Sequence, residues 1–241
     1  MKLLAIESAA LTASAAVYHD GVISADYTVT YQKTHSETLL PMVEEVMGMT
    51  GLTASDLDAV AVSAGPGSFT GLRIGAAMAK GIAFAADIPL IPVPTLDAMA
   101  YRAYGSAYVI APIMDARRSQ VYTGLYSFEE DRFIIHEGAS AKGIEEQIAD
   151  AKALSKTLGK KIFYLGDGVP VFKEKIIEQL GEQAIFAPPH MNFQNAAALA
   201  AYGALLFEEG KTVSADVFVP TYLRKSQAER EREEALKGET E

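Results

Sequence analysis

Hydrophobic patterning, broken at Ala9 to Thr12 and at His19-Asp20-Gly21, marks out Lys2 to Glu7, Ala13 to His19 and Val22 to Tyr31. This predicts three strands, the last two joined by an Asp-Gly turn. The spacing then changes to i, i+3, i+4, i+7 at Leu39, Leu40, Val43, Val46 and Met47, which predicts a helix from about Ser36 to Met49. Thr34-His35-Ser36-Glu37 has the form of a capping box. Pro41 lacks a backbone donor, so the helix should start late, near Thr38, or bend there. A buried-type strand at Ala59 to Ala64 runs into GPGSFTGLRIG (65–75), followed by an Ala-rich helix to about Ala86. A strand at Pro89 to Val93 and a helix from Thr95 to Tyr104 complete the first half.

The second half repeats this order. Tyr108 to Met114, Gln120 to Tyr126 and Arg132 to Glu137 read as strands, Ile144 to Leu158 as a helix and Lys161 to Leu165 as a strand. A Gly-Asp-Gly turn (166–168) and a helix to Leu180 follow, and a last helix spans about Asn192 to Glu208. The economical explanation is an internal duplication that makes two α/β lobes, each a mixed sheet with helices, over 1–106 and 107–222. Residues 223–241 are charge-dense without an apolar stripe and read as a frayed helix or flexible tail.

Composition narrows the function classes. The 241 residues include no cysteine, which excludes zinc ribbons, iron–sulfur clusters and thiol nucleophiles. Net charge is −10. From Arg224 onward five basic residues face six acidic ones, so the acidity belongs to the body. A basic footprint for holding a polyanion unaided is missing, so no direct nucleic-acid binding by the chain alone is expected, a local basic groove aside. The N-terminus has the Lys2, apolar-run and Ala-x-Ala look of a secretory leader, but Glu7 interrupts the run and strands account for it. No uncharged run reaches about 18 apolar residues, so a cytoplasmic protein without a membrane span is expected.

GPGSFTGLRIG is the most informative stretch. Gly65 and Gly67 allow tight turns, and Ser68 or Thr70 can cap the following helix, a geometry that cradles phosphate or simply lets helix and strand approach closely. Gly65, Gly67 and Ser68 are therefore the only cofactor-binding candidates, and weak ones, since no Walker lysine or G-x-G-x-x-G pattern accompanies them. His19, His35, His136 and His190 are scattered, with no pair three or four apart to hold a metal. No G-x-S-x-G elbow is present. In DARRSQVY (115–122) the arginines could grip an anion or pair with Asp115. Gly75, Ala76, Ala79 and Gly81 give the second helix a thin face for close packing, within the lobe or against another subunit.

LAIES (4–8), KTHSETLLPMVEEVM (33–47), GPGSFTGLRIG, IPVPTLDAMA (91–100), DARRSQVY, the GDG turn and PTYLRKSQAE (220–229) together resemble the bacterial TsaB (YeaZ) family, in order along nearly the whole chain. The resemblance implies the duplicated two-lobe actin-like ATPase (ASKHA, ribonuclease H-like) fold. It also implies a subunit of the complex that makes threonylcarbamoyladenosine on tRNA, in which TsaD is the transferase, TsaE an ATPase, and TsaB pairs with TsaD. The TsaD paralogue carries a His-x-x-x-His metal pair, and Thr95 and Met99 stand at the matching positions here. By this resemblance the chain is not an enzyme, and neither a metal, a cofactor nor catalytic residues are expected. Glu7-Ser8 replaces the Asp-Thr common in the family. The helices from Ser36 and Thr70 are implied to form a dimer interface, with TsaD or with a second copy when alone. Interface candidates are Leu39, Met42, Val43, Val46, Arg73, Ala76, Ala77 and Lys80, with core packing the alternative for Leu39, Val43 and Ile74. Rival readings are a nucleotide-binding or hydrolytic enzyme using the Gly loop and Arg117-Arg118, or a peptidase.

Overall fold

A computed structural model describes residues 1–31 and 34–224, so all of the tail but Leu223 and Arg224 lies outside the described residues. Unbroken burial from Leu3 to Glu7 makes β1 (Lys2–Glu7) the centre of the first sheet, because both of its faces are covered. It pairs antiparallel with β2 (Thr12–His19), which pairs antiparallel with β3 (Val22–Thr30). On its other side β4 (Ala59–Ser63) and β5 (Leu90–Val93) run parallel, giving the order β3-β2-β1-β4-β5. The second sheet repeats the plan with β6 (Val109–Asp115), β7 (Gln120–Glu129), β8 (Arg132–Gly143), β9 (Ile162–Leu165) and β10 (Ala184–Phe186) in the order β8-β7-β6-β9-β10. Strand for strand this is one sheet topology used twice, as an internal duplication predicts.

Helices α1 (His35–Thr50) and α2 (Phe69–Ala86) cross over between the parallel strands β3, β4 and β5, and so run side by side on one face of the first sheet. They cover Leu4 and Ile6 of β1. Helix α3 (Thr95–Tyr101) follows β5; α4 (Ile144–Leu158), α5 (Val169–Leu180) and the short α6 (Pro189–Asn192) follow in the second half. Helix α7 (Ala196–Glu208) returns to the first sheet, where Ala196, Leu199, Ala200 and Leu206 cover Leu3, Ala5, Ile91 and Val93. Late sequence position thus does not place this helix with the second sheet.

Several local expectations are corrected. Helix α1 runs unbroken through Pro41, which is exposed together with Glu37, so the carbonyl deprived of a donor sits on the solvent side. The capping-box side chains do not close; the Glu37 N–H donates to the Thr34 carbonyl (3.1 Å) and Thr38 Oγ1 donates to the same oxygen (3.2 Å). Strand β10, three residues long, is too short to leave a periodic signature. Strand β8 extends to Gly143 through the small residues 138–141, where no alternation marks it.

The thin face of α2 is used inside the lobe. A Cβ at Gly71 would lie 2.1 Å from the Ser8 carbonyl oxygen, and one at Gly75 2.3 Å from Ser8 Oγ, whereas one at Gly81 meets nothing. Gly71→Ala should therefore destabilise the protein by about 1–3 kcal/mol in urea titration. Gly81→Ala, in the same helix but in open space, should stabilise it by about 0.5–1 kcal/mol; equal effects would show that the helix does not pack on Ser8.

Candidate functional site

A cleft of about 440 Å³ opens between the lobes, walled by the β1–β2 turn (Ala9, Leu11), Gly67 and Ser68 of the Gly loop, and Asp115, Arg117 and Asp167 of the second lobe. It lies at the carboxyl ends of the parallel strands, where β6 ends in Asp115 and β9 leads into Asp167. Arg117 pairs with Asp115 (3.2 Å) and its N–H donates to the same carboxylate (2.8 Å). Arg117, Arg118 and Ser119 are all left-handed, with φ of 64°, 56° and 57°, so this turn holds strained backbone at the cleft rim.

Two acids beside the cleft hold their protons unusually tightly. Glu7, fully buried, is pushed up to about 7 by desolvation, against the opposing hydrogen bond from the Ala9 N–H to Oε1 (2.6 Å). Asp167 is pushed up to about 6, again chiefly by burial, while the Asp115 N–H donates to its Oδ1 (3.3 Å). A third acid, Asp97 of α3, is buried and accepts from Tyr126 Oη (2.9 Å) across the lobes. Burial also raises its pKa above the usual range. The sequence signal for Asp97 was a lone acid in the apolar run TLDAMA.

Thr95 and Met99 sit one turn apart on α3, both buried. Met99 is part of an apolar seam between the sheets, with Leu72, Leu96, Ile110, Met114, Phe163 and Leu165. Thr95 Oγ1 has no hydrogen-bond partner among the described residues. A hydroxyl and a thioether in a dry seam are poor donors for iron or zinc. Among the described residues no group of three or more His, Asp or Glu could hold a metal.

The glycines of the loop are accounted for by backbone approach. A Cβ at Gly67 would lie 2.3 Å from the Ala9 carbonyl oxygen, and the Ser68 N–H donates to that oxygen (2.6 Å). Gly65, at φ 105°, faces the Thr221 carbonyl, where a Cβ would lie 2.3 Å away. Ser68 caps α2 by accepting from the Gly71 N–H (3.2 Å). Segment 220–224 straps this loop: the Thr221 N–H donates to the Ala64 carbonyl (2.7 Å), and the Tyr222 ring packs at a tilt against Phe69 (4.6 Å between centroids). Arg73 lies over the Phe69 ring (3.8 Å), and Arg224 donates to the Ala116 carbonyl across the cleft.

On the helical surface the interface candidates separate. Leu39, Met42, Val43, Val46 and Ala76 are buried in the core of the first lobe, which assigns these five to packing. Periodicity identified the apolar face without saying what it packs on. Arg73 and Ala77 are exposed, Lys80 is half-buried with Nζ donating to the Phe218 carbonyl (3.0 Å), and Ile74 is half-buried. The outer surface adds Leu40 of α1, and Phe84 of α2, which is 81% exposed.

The histidines have structural places. His35 Nε2 donates to the Ala10 carbonyl (2.7 Å), tying α1 to the β1–β2 turn. His136 Nε2 bonds Ser127 Oγ (2.8 Å), but that serine is buried and among the described residues no acid is bonded to the other ring nitrogen, so these residues form no triad.

Over residues 27–232 the chain matches the family model described as TsaD, tRNA N6-adenosine threonylcarbamoyltransferase. It is 30% identical over 232 residues to the tRNA threonylcarbamoyladenosine biosynthesis protein TsaB of Bacillus subtilis (strain 168), covering 95% of this chain and 96% of that protein. The TsaB of Escherichia coli (strain K12) is 30% identical over 233 residues, with 95% and 96% covered. Among solved structures, YeaZ from Pseudomonas aeruginosa superposes with a TM-score of 0.76 at 28% identity, covering 92% of this chain and 99% of that one.

The raised Glu7 pKa carries a stability cost with a defined pH window. In the unfolded chain this carboxyl ionises near 4.5, in the folded protein near 7, so its contribution is full below 4.5 and is lost as pH rises to 7. Glu7→Gln should therefore gain about 3 kcal/mol on the wild type between those limits, measured by urea unfolding at each pH. A difference that does not change with pH would mean that Glu7 is ionised and solvated in the folded state.

Proposed function

The chain belongs to the TsaB family of tRNA threonylcarbamoyladenosine biosynthesis proteins, and we propose that it serves that pathway as a non-catalytic cytoplasmic subunit which binds and organises the transferase TsaD. The lobe division near residue 106 is kept as part of this proposal. The docking surface is the outer side of the parallel pair α1 and α2, around Arg73, Ala77 and Lys80 with Leu40 and Phe84. The same surface serves a homodimer when TsaD is absent; TsaE joins through the complex, and tRNA is held only within it.

The observation that carries this proposal is the two-sidedness of the helical pair. Its inner sides are consumed by the core at Leu39, Val43, Val46 and Ala76, yet Phe84 and Leu40 remain open to solvent beside small Ala77. Exposed apolar side chains grouped on packed helices mark interaction sites. The non-catalytic part is supported by Thr95 and Met99, whose buried places suit packing and not metal ligation. For the rival nucleotide-handling enzyme, Asp115 and Asp167 put carboxyls where phosphate would sit, and Asp115 already engages Arg117.

Reconstitution of tRNA modification with TsaD and TsaE should require this chain; equal modification without it would sink the proposal. Ala77→Glu should abolish co-elution with TsaD while its unfolding midpoint stays within about 2 °C of wild type. Val43→Glu should instead unfold the lobe, because its carboxylate would be buried without a partner.

A further inference from the structure

Four lysines of this acidic chain converge at the far end of the second lobe. Lys152 and Lys156 stand one turn apart on α4, Lys160 and Lys161 follow its Gly159 cap, and with Ser155 and Gln183 they border a hollow of about 400 Å³. The backbone beneath them is pinned. The Lys160 N–H donates to the Ser155 carbonyl (3.2 Å), Ser155 Oγ donates to the Lys160 carbonyl (2.5 Å), and the Val109 N–H donates to the Lys161 carbonyl (2.9 Å). Lys160 Nζ is itself anchored on the Phe128 carbonyl (3.1 Å).

The four are grouped around one hollow, and none is neutralised. Among the described residues no carboxylate lies within ion-pair distance of them, although Lys142, Lys175 and Lys211 each have an acidic partner. The negative end of the α4 dipole accounts for Lys156, in the last turn, but it fades within one turn and does not reach Lys152. The hollow opens at the starts of β6 and β9, opposite the ends that carry Asp115 and face the cleft. It is also on the other lobe from α1 and α2, so an assembly built on those helices leaves it uncovered.

We infer that this lysine hollow docks the phosphate backbone of RNA, namely the tRNA held by the assembled complex. The inference rests on the functional reading above. Flexible ammonium groups around an open concavity suit phosphate oxygens as point charges. The lining contains no aromatic ring on which a base could stack, so the contact is to backbone and independent of sequence. A few phosphates cannot hold a tRNA against the net charge of −10, which is why this contact works only alongside the partner's grip.

The test is tRNA binding by the complex of this chain with TsaD, titrated with salt, for wild type and for a Lys152→Glu, Lys156→Glu, Lys161→Glu variant. The variant should lower the slope of log affinity against log salt by about 2–3 and weaken binding about tenfold or more at moderate salt. A parallel triple Gln variant, which removes charge without reversing it, should fall between the two. Unchanged slope and affinity in an intact complex would overturn the inference. So would loss of the complex in the variants, which would assign the lysines to an acidic protein surface. If wild type does not co-elute with TsaD, the functional reading fails. The inference then falls with it, whereas an intact complex with unchanged slope overturns the inference alone.

Discussion

The apolar seam between the two sheets is the constraint on which the cleft depends. Leu72 and Met99 come from the first lobe, Ile110, Met114, Phe163 and Leu165 from the second, and all are buried. Each such side chain stabilises the junction by about 1.5–3 kcal/mol, so parting the lobes would expose a surface worth many kcal/mol. The Asp97–Tyr126 hydrogen bond adds a polar link within the same seam. Filling this region with thioether and aliphatic side chains holds the two sheets against each other. The protein thereby becomes a platform whose shape is set by packing.

That platform presents surfaces with different chemistry. Inside the first lobe, α2 is drawn onto Ser8 by Gly71 and Gly75, which leaves its outer side facing solvent in one orientation. The cleft is lined by Asp115 and Asp167, the second of which burial makes hard to ionise. The remaining strong feature, the lysines beyond α4, sits farthest from both. A chain with ten excess negative charges thus gathers four lysines without ion-pair partners around one hollow.

Much of this was legible in the sequence. Hydrophobic runs and their breakers located most strands, the repeated element order matched two sheets of one plan, and Ser68 was one of the two residues read as the cap. The misses have physical causes. Whether Leu39, Met42, Val43, Val46 and Ala76 face a core or a partner is decided by what lies across from them, and periodicity reports only that something apolar does. The same holds for α7, whose apolar residues surround the helix and carry no address. The burial of Glu7 and the Asp97 bond arise from strands remote in sequence. The lysine hollow exists because sheet order brings Gln183 beside Lys160.

Helix α7 has a consequence for how the protein is made. The second face of β1, with Leu3 and Ala5, is closed by Leu199, Ala200 and Leu206, residues about 200 positions later. On a ribosome adding roughly 5–20 residues per second, the first strands wait on the order of ten to forty seconds for their cover. The first lobe therefore cannot finish as an independent nascent unit. Its central sheet stays half-dressed until the chain is almost complete, and that interval is when the newborn protein most needs shielding from aggregation.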